Sequence, residues 1–183
     1  MEKNVTICAI STPIGNGGIS VVRMSGNESK AILQKISHVC TDKMEARKMY
    51  LSTIKTKNFN EQALAVWFQA PHSYTGEDMV EIQCHGGIVI ANGILDALIE
   101  NGATLAEAGE FSKRAFLNGK MSLDRAEGVI DMINAQSAEA VKAGYNLLSG
   151  KLKERVSQIQ SKLTDCQAKL EVALDYPEED IEY

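Results

Sequence analysis

Short strand-like runs dominate the first half of the chain. Alternating or continuous apolar positions predict six strands, at residues 5–10, 19–24, 48–54, 62–68, 79–84 and 103–106. The third and fourth are expected to pair as a hairpin through residues 55–61. Two helices interrupt the strands. One follows the turn and cap formers Ser25-Gly26-Asn27 and ends near Ser37, and the other covers Ile88–Glu100 and ends at Asn101-Gly102.

From Gly109 the spacing of apolar residues is helical nearly to the end of the sequence. It predicts a short helix over 109–120, helices capped by Ser122 and Ser137, and a long helix over 151–175. The long helix carries a seam with alternating spacings of four and three, formed by Leu152, Val156, Ile159, Leu163, Cys166, Leu170 and Ala173. Such a seam packs on one or two partner helices, and an intramolecular bundle is favoured over a free coiled coil. An acidic segment, 176–183, follows in place of an antiparallel partner, so we expect the sequence to be a piece of a larger protein.

The stretch SYTGEDMVEIQCHGG, at 73–87, combines a turn, a strand and a double glycine. Alternation places Val80, Ile82 and Cys84 on the core face and leaves Glu81 and Gln83 on the other. In the loop His85-Gly86-Gly87 beside them, the backbone can approach a ligand closely. On the pattern alone a half-exposed strand with a polar outer face is favoured over a binding site.

One charged residue breaks the apolar pattern of the second strand. Arg23 shares a face with Ile19 and Val21, and it is equally well explained as the solvated end of the strand or as the partner of an anion. The glycine-rich loop before this strand lacks the lysine and the Ser/Thr of a P-loop and leads into a strand, so we do not expect it to cradle a phosphate. Tyr74 either stacks on a ligand or packs, and the two alternatives are equal.

Composition narrows the function classes. A net charge of −5 argues against nucleic-acid binding through a basic surface, and no apolar run is long enough to span a membrane. The four cysteines form no CxxC pair and predict reduced thiols in a cytoplasmic protein. Cys84 and His85 point to opposite faces of a strand, so no metal site is expected from them. The sequence contains no Gly-x-x-x-x-Gly-Lys-[Ser/Thr] motif, so this chain is not expected to bind GTP.

Four segments of the chain together resemble one protein family. ISTPIGNGGISVVRMSG (10–26), PHSYTGEDMVEIQCHGG (71–87) and AEAGEFSKRAFLNGKMSLDRAEGVIDMINAQS (106–137) are similar to the N-terminal part of the bacterial tRNA-modification GTPase MnmE, also called TrmE. The final LDYPEED (174–180) resembles the family signature before its GTPase domain. The resemblance implies an α+β fold similar to folate-dependent aminomethyltransferases over residues 1–118. It also implies the first part of a helical domain over 119–183.

The resemblance also implies a function and a site. The N-terminal domain is expected to form a homodimer and to bind a tetrahydrofolate derivative, 5-formyl- or methylene-tetrahydrofolate, through Arg23, Glu81 and Lys120. With the flavin-dependent partner MnmG (GidA), the family modifies carbon 5 of the tRNA wobble uridine, forming a carboxymethylaminomethyl group. GTP, magnesium and potassium are expected only in the absent GTPase domain. The alternative is an assembly module with a non-functional folate pocket.

Other charged residues of the last motif are predicted to have structural roles. Glu110, Arg114, Asp124, Arg125 and Glu127 are interpreted as helix-surface ion pairs and interdomain contacts, since none of them forms an obvious acid–base pair. From the residues alone, Lys120 is interpreted as a solvated lysine at a helix C-terminus, where the helix dipole favours a cation. Its role in folate binding comes from the resemblance.

Overall fold

The structure, a computed structural model, describes residues 5–13, 15 and 17–175. The chain forms two compact units, Met1–Lys120 and Met121–Tyr183, and each is described by itself. The predicted acidic segment after Asp175 lies outside the described residues.

Within the described residues, the first unit is built on a six-stranded sheet. The strands are β1 (Ile7–Ile10), β2 (Ile19–Ser25), β3 (Met49–Lys55), β4 (Asn60–Phe68), β5 (Met79–His85) and β6 (Thr104–Leu105). Their order across the sheet is β3-β4-β5-β2-β1-β6, antiparallel throughout except that β6 runs parallel to β1. The predicted α+β fold and the β3–β4 hairpin are confirmed.

Helices cover one face of this sheet and close the core. These are α1 (Ser29–Ile36) and α2 (Ile88–Glu100), and α3 (Glu110–Leu117) follows β6. Val80, Ile82 and Cys84 are buried on the core face, as their alternation predicts. They pack with alternate residues of the neighbouring strands and with the apolar sides of α1 and α2, among them Val22, Ala65, Leu33, Ile94 and Leu98. Burial raises the pKa of Cys8, which lies in the same core, to about 11.

The first helix follows the predicted turn Ser25-Gly26-Asn27, but none of these residues caps it: the N-cap position is Glu28, which makes no side-chain cap hydrogen bond. Ser25 is the last residue of β2, and α1 begins only at Ser29, whose hydroxyl donates to the Gly26 carbonyl over 2.6 Å. The reason is tertiary: the Ser25 hydroxyl donates to a carboxylate oxygen of Glu77 over 2.7 Å and lies 2.7 Å from the Thr75 hydroxyl. Ser25 is therefore fully buried in the sheet and cannot cap the helix.

The double glycine after β5 admits a close backbone approach, but from the chain itself. A Cβ atom on Gly86 would lie 1.9 Å from the carbonyl oxygen of Gly17, and the Gly86 amide donates to Gly18 over 3.1 Å. The loop before β2 thus occupies the space that the sequence left open to a ligand.

The second unit contains, among its described residues, three helices: α4 (Leu123–Asn134), α5 (Ala138–Leu148) and α6 (Lys151–Asp175). Ser122 and Ser137 occupy the predicted N-cap positions, and the Ser137 hydroxyl accepts the Ala140 amide. Helices α4 and α5 meet at two glycines, Gly128 and Gly144, where a Cβ on either would clash with the other helix. No residue of α6 is buried, so within the described chain its predicted seam is open to solvent.

Candidate functional site

Arg23 and Glu81 form an ion pair near the middle of the sheet. They are direct partners in the β2–β5 register, and both lie on the face opposite α1 and α2. Nε and Nη2 of Arg23 donate to Oε1 of Glu81 over 2.8 and 2.7 Å. The side chains keep 27% and 17% of their exposure. Of the two explanations given for Arg23, the second is therefore correct: Arg23 is the partner of an anion, and that anion is the Glu81 carboxylate.

The pair leaves one acceptor oxygen available. Among the residues that the structure describes, Oε2 of Glu81 accepts no hydrogen bond, because both donors of Arg23 converge on Oε1. An ionised carboxylate has about four acceptor positions, and charge-assisted bonds to it are the stronger ones. Oε2 can therefore receive an N–H donor from a bound molecule without breaking the ion pair.

Two aromatic rings lie against Arg23. Its Cζ atom is 5.6 Å from the ring centroid of Tyr74 and 5.8 Å from that of Phe111, within cation–π distance of both. The Tyr74 hydroxyl lies 2.8 Å from the Ser112 hydroxyl of α3. The described contacts of Tyr74 are thus packing against Arg23 and a hydrogen bond to α3.

Lys120 follows α3 and reaches the loop before β5. Its amide donates to the Ala115 carbonyl over 2.8 Å, after Gly119 has turned the chain with a φ of 69°. A Cβ on Gly76 would lie 2.9 Å from Cγ of Lys120, so the lysine stem crosses the loop at this glycine. The structure therefore brings Arg23 and Glu81 into direct contact, whereas Lys120 contacts the loop that carries Tyr74.

A polar cluster next to the pair was only partly foreseen. Arg114 forms the expected ion pair with Glu110, four residues earlier on α3, but it also pairs with Glu77 of the loop. Glu110 is partly desolvated, which acts to raise its pKa, but hydrogen bonds from the Glu107 amide and from Arg114 outweigh this, and the pKa of Glu110 is lowered. The sequence signals the Glu110–Arg114 pair by its spacing, whereas the Glu77 contact joins residues 37 positions apart.

His85 and Glu61 form a second pair that the sequence analysis missed. Oε1 of the buried Glu61 accepts the His85 amide over 3.0 Å and lies 2.6 Å from Nδ1 of the ring. The pair borders a groove of about 290 Å³ on the sheet, lined in part by Ile19, Leu51 and Leu64. Burial, and then the charge of Glu61, raise the pKa of the neighbouring Cys84.

Neither a cluster of metal-ligating side chains nor a membrane-spanning helix occurs among the described residues. No group of three or more His, Cys, Asp and Glu side chains in that part of the chain is placed to hold a metal ion. Its helices include none with the length and apolarity needed to cross a bilayer. All four cysteines are free thiols.

Comparison with known proteins covers nearly the whole chain. A family model described as "GTP-binding protein TrmE N-terminus" matches residues 6–120, and one described as "MnmE helical domain" matches residues 123–183. Relatives named tRNA modification GTPase MnmE come from several bacteria. The protein of Pseudothermotoga lettingae is 47% identical over 95% of this chain and 39% of its own length. That of Acetivibrio thermocellus is 43% identical over 100% of this chain and 41% of its own length.

The chain spans about two fifths of the length of the curated relatives it matches. The two family models follow each other along the sequence in the order of its two compact units. The chain therefore belongs to the TrmE, or MnmE, family, and it matches that family in its N-terminus and in its helical domain.

Proposed function

We propose that this chain is the cofactor-holding and dimerising part of a tRNA-modification GTPase, and that it binds a tetrahydrofolate derivative at Arg23 and Glu81. One observation carries the proposal. A partly exposed ion pair lies near the middle of the sheet, and one carboxylate oxygen of Glu81 remains available to a ligand. The names of the relatives supply the reaction class.

The chemistry of a reduced folate fits these groups. Its pterin presents adjacent N–H donors, one of which Oε2 of Glu81 can accept while the ion pair stays intact. Parallel bonds to both carboxylate oxygens, which would fix the ring orientation, require Arg23 to release Oε1. We assign the pterin edge to Glu81. Arg23 and Lys120 are assigned to a ring carbonyl or to the tail carboxylates, because both carry donors and a positive charge.

The larger assembly follows from the same proposal. The folate, as its 5-formyl or methylene form, would donate a one-carbon unit to carbon 5 of the tRNA wobble uridine, with MnmG as the flavin-dependent partner in the cytoplasm. GTP, magnesium and potassium would bind to a GTPase domain outside this sequence. Residues 1–118 would form the folate and dimer domain, and residues 119–183 would begin the helical domain.

Calorimetric titration with 5-formyltetrahydrofolate tests the folate site. We expect Arg23→Ala and Glu81→Gln each to weaken binding by about 1 kcal/mol or more, roughly the net contribution of a hydrogen bond to a charged group. Gln83→Ala is the matched control, since Gln83 lies two residues along the same face of β5 and is assigned no ligand. Undiminished affinity of the Glu81→Gln protein would refute the pterin assignment.

A second candidate, the assembly module, is favoured by the uncovered part of the same sheet face. There Ile19 and Leu51 are 66% and 68% exposed, and Leu51, Leu64, Gln83 and Val21 form one row across four strands. Exposed apolar area of this kind marks protein contact surfaces, so we assign the homodimer contact to it. Under this candidate the face is the whole function and no folate binds.

Sedimentation separates the dimer contact from the folate site. We expect Leu51→Asp to shift the chain to a monomer, because a buried unpaired charge opposes association. Asn58→Asp, which adds the same charge at an exposed position of the adjoining turn, should leave the dimer intact. A Leu51→Asp protein that stays dimeric would move the contact to another surface.

A further inference from the structure

Arg114 joins three separate parts of the first unit. Its Nη1 donates to the Val5 carbonyl before β1 over 2.9 Å and to Oε2 of Glu77, in the loop before β5, over 3.1 Å. Its Nη2 donates to Oε1 of Glu110, on α3 itself, over 2.9 Å. The planar guanidinium holds all these acceptors at once, an arrangement that a lysine cannot reproduce.

The loop Ser73–Asp78 and α3 are attached to each other along their length. The Tyr74 and Ser112 hydroxyls are hydrogen-bonded, and Nδ2 of Asn118 donates to the Thr75 carbonyl over 2.8 Å. The stem of Lys120 lies on Gly76. The two segments therefore act as one cap, and the Glu77–Arg114 ion pair is the charged link within it.

This cap supplies both rings that lie against Arg23. Tyr74 comes from the loop and Phe111 from α3, so the distance between the two rings depends on how the two segments are held. Glu77 is also tied to the sheet itself, because it accepts the Ser25 hydroxyl, and Ser25 lies two residues from Arg23 on the same face of β2. The Glu77–Arg114 ion pair is therefore connected to Arg23 in two ways: through the rings of Tyr74 and Phe111, and through Ser25 on β2.

We propose that Glu77 and Arg114 are positioning residues of the ligand site, which hold Tyr74 and Phe111 against Arg23 so that Arg23 and Glu81 keep their relative orientation. The part of this proposal that concerns ligand binding, called the ligand role below, rests on the proposed function. The positioning of Arg23 does not. Neither residue contacts the ligand. Their effect passes through the cap to the ion pair.

Arg114 carries its own matched control. It pairs with two carboxylates of similar exposure, 24% for Glu77 and 19% for Glu110. Of these two ion pairs, only the one with Glu77 links the loop to α3, since Glu110 lies on the same helix as Arg114. A purely stabilising role predicts similar consequences for the loss of either carboxylate, whereas a positioning role predicts that only Glu77 matters to the site.

The first experiment observes Arg23 directly, in the full chain and without ligand. The Nε–H signal of Arg23, identified by its loss in Arg23→Lys, should be displaced by the ring currents of Tyr74 and Phe111. We expect Glu77→Gln to move this signal towards the position of an ordinary arginine and Glu110→Gln to leave it in place. An unmoved signal in Glu77→Gln, or equal movement in both variants, would overturn the positioning role.

The second experiment titrates the same proteins with 5-formyltetrahydrofolate. We expect Glu77→Gln to bind about fivefold more weakly or worse and Glu110→Gln to stay within about twofold of wild type, since coupled residues carry energies of this size. If Glu77→Gln does not fold, Arg114→Lys replaces it in the experiment. The lysine keeps the positive charge but lacks the planar guanidinium that bonds several acceptors at once. An equal loss for both glutamates overturns the ligand role alone. Absence of binding by wild type overturns the proposed function together with the ligand role, while the Arg23 signal still decides whether the pair positions Arg23.

Discussion

The two compact units differ in how far their regular apolar faces are buried. In Met1–Lys120 the apolar positions predicted from alternation and helical spacing close a core between the sheet and two helices. In the second unit, α6 has an equally regular apolar pattern, yet none of its residues is buried. Periodicity therefore locates apolar faces equally well in both units, but the face of α6 stays uncovered within the described chain.

The largest difference should appear in hydrogen exchange of the backbone amides. We expect the amides of β2 and β5 to be protected by several orders of magnitude more than those of α6, because opening of the central sheet requires unfolding of the core. The measurement is native-state exchange on a proven monomer. Strong protection of α6 in that monomer would remove the contrast, whereas protection only in an associated form would mean that another copy covers the seam.

A pair of core and seam substitutions sharpens the same contrast. Ile82→Ala, on the buried face of β5, should cost about 2–5 kcal/mol of unfolding free energy, since it removes packed methyl groups and leaves a cavity. Leu163→Ala, on the exposed seam of α6, should cost less than about 0.5 kcal/mol. Trp67 is the single tryptophan and lies in β4, so its fluorescence in urea reports the first unit alone. A comparable loss from Leu163→Ala in the helix signal of a monomer would mean that the seam is packed.

Substitution of two glycines in the first unit should have an effect of intermediate size on its stability. Gly86→Ala should destabilise that unit by about 1–3 kcal/mol, because its Cβ would overlap the Gly17 carbonyl and force the backbone apart. Gly18→Ala is the control, as nothing lies within 4 Å of the added atom. Equal midpoints for the two proteins in urea would show that the loop before β2 can move away from β5 at little cost.

The smallest expected effect concerns the stability of the first unit at acidic pH. Because the pKa of Glu110 lies below its ordinary value of 4.5, the ionised side chain contributes stability above that value and loses it as the pH falls through the lowered pKa. Glu110→Gln should therefore flatten the decline of stability below about pH 4.5, followed by Trp67 fluorescence. Glu107→Gln, at an exposed position nearby, should leave the decline unchanged.

The elements of the fold were accessible from local pattern because each depends on the burial of one face. The bounds predicted for α2 and α6 agree with the structure, since a glycine follows one helix and precedes the other. The capping of α1 was not accessible. The Ser25 hydroxyl, which could have served as a cap, is engaged by residues about 50 positions away.

For the site, the sequence identified the residues that break a pattern but not their partners. Arg23 and Glu81 stood out on short strands, and the register that joins them is a property of the whole sheet. Glu77 and Glu61 gave no signal, because each meets its partner only after distant strands or loops have been brought together. The three residues assigned to folate through the family resemblance remain a prediction.

The central position of Arg23 and Glu81 has a consequence for the timing of synthesis. The two residues are 58 positions apart, and the whole β3–β4 hairpin lies between them in the sequence. Such long-range closure is slow compared with hairpin formation. A nascent chain therefore cannot join Arg23 to Glu81 until β5 has left the ribosome, and any fragment that ends before Met79 lacks the ion pair on which the proposed folate site rests.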